Sequence, residues 1–183
     1  MKFYIVDAFT ETMFGGNPAG VVILPEGEDF PADTVMVKTA AELRYSETAF
    51  IKQQNKKEFQ VRYFTPAAEV DLCGHATIGS FKALLYGGYI ADNCRYLNHT
   101  LAGDLNITLK DGFVMMEMAS PADLGQITED TALKTLYEVM GLNYEEQKAK
   151  GLTLLPQIIS TGLPDIIMPV ACREDLQHIS PDF

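Results

Sequence analysis

Glu69, Asp71, Cys73 and His75 fall within seven residues of one another, with Gly74 between the thiol and the imidazole. A carboxylate, a thiol and an imidazole so close together are the side chains from which proton-transfer and nucleophilic sites are built. The run that follows, with Ala76, Ile78, Phe81, Ala83, Leu84 and Leu85 broken mainly by small residues and Lys82, predicts a helix that is apolar over most of its circumference and therefore lies in a core. Gly74 and His75 then sit at the mouth of a buried helix. Its free N–H groups and positive dipole end suit a carboxylate or a phosphate. Each residue also has an ordinary reading: Glu69 and Asp71 as loop carboxylates, His75 as a capping or core-satisfying imidazole, and Cys73 as a structural thiol.

Composition narrows the classes. The chain has 183 residues, with 25 acidic against 14 basic, a net charge of −11. No basic cluster exceeds Lys56-Lys57, so nucleic-acid binding through phosphate neutralisation is not expected. No apolar run approaches the ~20 residues that span a bilayer, so no membrane association is expected. The start, Met-Lys-Phe-Tyr-Ile-Val-Asp, reads as a strand and not as a signal peptide. Three cysteines without a C-x-x-C pair point to a reducing cytoplasm. Histidines 75, 99 and 178 lack metal-ligand spacing, neither a P-loop nor G-x-G-x-x-G is present, and Met115, Met116 and Met118 read as core filler. Neither a metal nor a cofactor is expected.

The elements that must position these residues follow in order. Lys2–Ala8 reads as a strand, and Val21–Leu24, fed by Gly16-Asn17-Pro18, as its hairpin partner. That second strand is apolar on both faces, which predicts a central, covered position. Pro31–Leu43 reads as a helix capped by Asp33 or Thr34, with Met36, Ala40 and Leu43 on one face. Ser46–Ile51 and Phe59–Phe64 read as paired strands, Gly74–Tyr86 as the core helix stopped by Gly87-Gly88, and Arg95–Leu101, Asp104–Leu109 and Phe113–Met118 as three more strands. Seven strands and two helices, one nearly wholly buried, predict an antiparallel sheet curled round a central helix. Ser120–Thr128 reads as a linker. Glu129–Met140 reads as an amphipathic helix capped by Thr128 and closed by Gly141, with Leu133, Leu136 and Met140 inward. Thr153–Ser160 and Ile166–Val170 read as a hairpin joined by a turn over 161–165. Gly162-x-Pro164 echoes Gly16-x-Pro18, which predicts a duplicated unit whose second copy is incomplete. The expected division is residues 1–120 for the first domain and 121–183 for a linker and the truncated start of the second.

Four segments resemble the phenazine-biosynthesis (PhzF-like) isomerase family, and more distantly diaminopimelate epimerase. They are Gly16-Asn-Pro-Ala-Gly-Val21, Ala41-Glu-Leu-Arg-Tyr-Ser-Glu-Thr-Ala-Phe50, Phe64-Thr-Pro-Ala-Ala-Glu-Val-Asp-Leu-Cys-Gly-His-Ala-Thr77 and the Ser160–Pro164 turn. The resemblance implies an α+β, diaminopimelate epimerase-like fold: two pseudo-symmetric halves, each a curved sheet wrapped round a helix, with the active site in the cleft between them. It implies cofactor-independent isomerisation of a small cyclic carboxylate of the dihydro-hydroxyanthranilate type, a proton leaving one carbon and returning to another. Glu47 matches the family's acid/base and His75 an active-site histidine. Asn17, Ser46 and Gly74 match positions that line or orient the substrate, with Cys73 beside them. Homodimers are common among relatives.

Two departures stand out. Arg44 replaces a residue that is usually neutral and polar, often Asn. The family's second catalytic segment, an Asp in an Ala-Thr-Gly-like motif, has no counterpart in this sequence. In the epimerases a cysteine at the position of Cys73 is the acid/base, but it works with a second, opposed thiol, and neither Cys94 nor Cys172 lies in a comparable motif. The alternatives are therefore a Cys73-dependent epimerase and a non-catalytic half-domain that binds a small carboxylate or a protein.

Overall fold

A computed structural model of the chain describes residues 1–12, 14–162 and 164–182. It divides into two compact units, Met1–Glu117 and Met118–Phe183. The turn read over 161–165 and the expected second domain include Leu163 and Phe183, which lie outside the described residues, as does Met13.

Unit 1 is built on one curled mixed sheet. Its strands are β1 (Lys2–Ala8), β2 (Asn17–Ile23), β3 (Thr48–Gln53), β4 (Glu58–Phe64), β5 (Glu69–Val70), β6 (Arg95–Thr100), β7 (Gly103–Lys110) and β8 (Phe113–Met116). They run in the order β1-β2-β3-β4-β6-β7-β8, with the two-residue β5 added beside β4. Most pairings are antiparallel. β2–β3 and β4–β6 are parallel, because a helix intervenes in the sequence between the members of each pair. Those helices are α1 (Asp33–Leu43) and α2 (Gly74–Tyr86).

α2 is the core helix. It packs against β1, β2, β3 and β8, so both ends of the curled sheet meet it. Ala76, Phe81, Ala83 and Leu84 bury against Ala19, Val21, Ile23, Ala49, Ile51, Phe59, Val61 and Tyr63. The alternate residues Val22, Phe50 and Phe64 point to the sheet's other face and are covered by Met36 and Ala40 of α1. This two-sided burial is why β2 is apolar on both faces.

Local chemistry corrects three readings in unit 1. Ala32, not Asp33 or Thr34, occupies the N-cap of α1, and no side chain caps it. The Asp33 carboxylate instead accepts from Arg62 at 2.8 Å. Glu69 is not a loop carboxylate but the β5 residue that holds Arg62 through two bonds of 2.6 and 2.5 Å. Of the three methionines, Met116 packs against the core, whereas Met115 and Met118 are exposed.

Unit 2 has the antiparallel order β11-β10-β9, with β9 (Ala122–Gln126), β10 (Gln157–Ser160) and β11 (Pro164–Ile167), and three helices, α3 (Asp130–Val139), α4 (Tyr144–Ala149) and α5 (Arg173–Gln177). Residues 122–126 are therefore a strand and not linker. Their backbone groups pair with β10, and Gly125 takes φ 108° near a register shift between Ile158 and Ile159. Glu129, not Thr128, is the N-cap of α3, and Tyr137 is buried beside Leu133. The short helices α4 and α5 carry no apolar period that sequence reading could use. Asn143 caps α4 by accepting from Glu146 N–H at 3.1 Å. α5 is tied down by Asp175, which accepts from Gln147 at 3.0 Å and Lys150 at 2.6 Å.

Candidate active site

The site lies in unit 1, where the start of β3 meets the start of α2. Three interactions set this junction. α1 ends at Arg44 in the left-handed conformation (φ 59°, ψ 20°), its N–H donating to Ala40 C=O at 3.0 Å. This reverses the chain so that Ser46 and Glu47 arrive at the end of the sheet. Gly20 N–H then donates to Glu47 C=O at 3.1 Å. A side chain at position 20 would place its Cβ 2.9 Å from Thr48 Oγ1, so the close approach of β2 and β3 that fixes Glu47 needs glycine there.

On the other side, Cys73 is the N-cap of α2 in extended conformation. Thr77 closes the first turn with both of its groups: its N–H bonds to Cys73 C=O at 2.9 Å and its Oγ1 donates to the same carbonyl at 2.7 Å. The N–H groups of Gly74, His75 and Ala76 are left outside the helical ladder. The Thr77 hydroxyl is itself 2.6 Å from Tyr63 Oη, which accepts from Asn98 Nδ2 at 3.0 Å. With Thr77 donating to the carbonyl, Tyr63 must donate to Thr77, so donors run in one direction from Asn98 to Cys73 C=O. All three side chains are fully buried.

These elements bring together Ser46, Glu47, Cys73, Gly74 and His75. His75 Nε2 lies 3.5 Å from Glu47 Oε2 and 3.4 Å from Ser46 Oγ, and His75 Nδ1 lies 3.2 Å from Cys73 Sγ. The side chains of His75 and Glu47 are 10% and 20% exposed. Burial pushes the Cys73 thiol up to about 11, and the negative charge of Glu47 adds to the shift. In the tautomer with its proton on Nε2, facing Glu47 and Ser46, the Nδ1 of His75 is an acceptor for the Cys73 S–H. The pull of the helix start on the thiol is thus outweighed by burial and a neighbouring carboxylate.

Asn17 opens β2. The parallel register that pairs Gly20 with Thr48 puts Asn17 at the same end of the sheet as Ser46 and Glu47. A recess of about 640 Å³ lined by Val6–Glu11, Ile78, Gly79, Lys82 and residues 111–114 lies elsewhere and includes none of these site residues. Sequence reading missed Tyr63, Thr77 and Asn98 as supports. The signal was Asn98, an amide two residues from Tyr96 and so on the same inward strand face. Cys73, Cys94 and Cys172 are free thiols, and no helix among the described residues is long and apolar enough to cross a membrane.

The phenazine biosynthesis-like protein family, PhzC-PhzF, matches residues 6–183. An uncharacterized isomerase, YfhB, of Bacillus subtilis is 35% identical over 96% of this chain and 58% of its own length. The uncharacterized isomerase YddE of Escherichia coli K12 is 33% identical over 100% of this chain and 60% of its own. The crystal structure of a PhzF-family phenazine biosynthesis protein from Bacillus anthracis superposes with a TM-score of 0.83 at 27% identity, covering 100% of this chain and 60% of that one. The chain spans about 60% of the length of such relatives. A family match over nearly the whole sequence, and a shared curled sheet round a central helix, make this chain a member of the PhzC-PhzF phenazine biosynthesis-like family, with the diaminopimelate epimerase-like α+β fold.

Proposed function

We propose that this chain carries the acid/base half of a cofactor-independent isomerase that moves a proton between carbons of a small cyclic carboxylate of the dihydro-hydroxyanthranilate type. The observation that carries the reading is the 3.5 Å approach of Glu47 to His75 at the open start of α2. In this reading the substrate carboxylate sits on the free N–H groups of Gly74 and His75, where the dipole end favours negative charge. Glu47 takes a proton from a ring carbon and returns it to another on the same face. His75 Nε2–H, steadied through Nδ1 by the Cys73 thiol, donates to the charge that develops on the ring, and Ser46 orients Glu47 and the substrate. Asn17 lines the same end. The relatives YfhB and YddE, both named as uncharacterized isomerases, agree with the reaction class.

Cys73 as the acid/base is disfavoured by its raised thiol, which holds its proton far above neutral pH. The test is solvent deuterium incorporation into the substrate by the intact protein. Glu47→Gln should lower exchange by about 10²–10⁴-fold, the usual contribution of a positioned acid/base, while Cys73→Ala keeps most of it. Exchange at the wild-type rate by Glu47→Gln would remove the assignment. Substrate binding with no exchange in the wild-type protein would leave a carboxylate-binding module in its place.

A further inference from the structure

We propose that Glu47, Cys73 and His75 also form a binding site for one thiophilic divalent cation of the zinc class, held by three protein ligands with the fourth position open. One ligand atom from each residue lies within 4.8 Å of the other two. Donors round a single tetrahedral ion with bonds of about 2.0–2.3 Å stand roughly 3.3–3.8 Å apart. The 3.2 Å between Cys73 Sγ and His75 Nδ1 is already close to that spacing. The Glu47 carboxylate, within 4.8 Å of both, closes the set by swinging inward, and its partial exposure leaves it room to do so.

The donor set selects the ion. A sulfur, an imidazole nitrogen and one carboxylate oxygen suit zinc or cobalt, whereas calcium and magnesium take oxygen-rich shells. The frame is rigid where it needs to be: Thr77 pins the Cys73 carbonyl, and Tyr63 and Asn98 pin Thr77. Binding is a proton-for-metal exchange without oxidation: a sulfur–metal bond forms, the S–H bond breaks, and the proton leaves to solvent.

The ion would occupy the carboxylate that we assign as the base, so it would inhibit the isomerase reversibly. This consequence rests on the proposed function; the binding does not. Cobalt(II) titrated into the intact, reduced, metal-free protein tests it without reference to activity. The expected result is a thiolate-to-cobalt charge-transfer band that saturates at one equivalent and is displaced by zinc. Cys73→Ser should abolish the band and weaken zinc binding by more than about a hundredfold, and Glu47→Gln should keep the band and weaken binding about tenfold or more. Absence of the band in folded wild-type protein overturns the proposal, as does unchanged zinc affinity in either variant. Should Cys73→Ser fail to fold, the affinity of Glu47→Gln decides alone. Loss of exchange in Glu47→Gln together with no cobalt band would keep the isomerase reading and remove the metal site.

Discussion

At the scale of single residues, Cys73 shows how two local forces compete. A helix start lowers a thiol, and sequence alone sees only that force. The structure adds burial and the facing carboxylate of Glu47, and these win, holding the thiol up to about 11. The sign follows directly. Raising the value keeps the metal-free group protonated below about pH 11, so its free thiolate is scarce through the neutral range. Alkylation of Cys73 by iodoacetamide, followed peptide by peptide in the mass spectrometer, should rise with an apparent midpoint near 11 and not near the ~8.5 of an ordinary cysteine. A midpoint at or below the ordinary value would restore Cys73 as an acid/base candidate. Glu47 is the converse case. Nothing in its immediate neighbours, Ser46 and Thr48, marks it as special; its motif did, through a family resemblance. Its partner His75 lies 28 positions away, and only the folding of α2 into the sheet brings the two within reach.

Among the elements, the longer periodic ones were legible. α2 was read over the same residues that it occupies, and β1, β3 and β4 within two residues of their bounds, because their apolar periods are strong. The failures cluster where backbone pairing or a distant side chain decides. β9 has no apolar alternation and is fully exposed, so only its partner β10 makes it a strand. Asp33 was read as a cap, but Arg62 claims it from across the fold. Arg44 stands out in the sequence only as a charged residue where the resemblance implies a neutral one. Its structural role is to end α1 with a positive φ, which costs a side-chain-bearing residue on the order of 1 kcal/mol. Asn and Gly tolerate that conformation at less cost than Arg. Arg44→Gly should therefore stabilise the protein by about 0.5–1 kcal/mol in chemical denaturation, with no change in the slope of the transition. Destabilisation would show that the arginine side chain contributes a contact that outweighs the strain.

On the scale of the whole molecule, the fold class was legible because a nearly all-apolar helix admits few partners other than a sheet that wraps it. In unit 2 the β10–β11 hairpin followed by α5 repeats the order of β1–β2 followed by α1. The sheet of unit 1 ends in β1 and β8, each paired on one side only among the described residues, and Phe3, Ile5, Phe113 and Met115 on these strands are exposed. Apolar edge strands of this kind are a template for association. On that support we propose a homodimer, and light scattering on the eluting protein should give twice the monomer mass; a monomer at micromolar concentration would remove the proposal.

The buried chain from Asn98 through Tyr63 to Thr77 has a spectroscopic consequence. Hydroxyl protons on a protein surface trade with water too fast to be seen, but those of Tyr63 and Thr77 are enclosed between the sheet and α2 and committed to acceptors. They should persist as separate proton resonances, fading into deuterated solvent only when the sheet parts from its helix. The scaffold that steadies the site thus contains two native reporters of its own breathing.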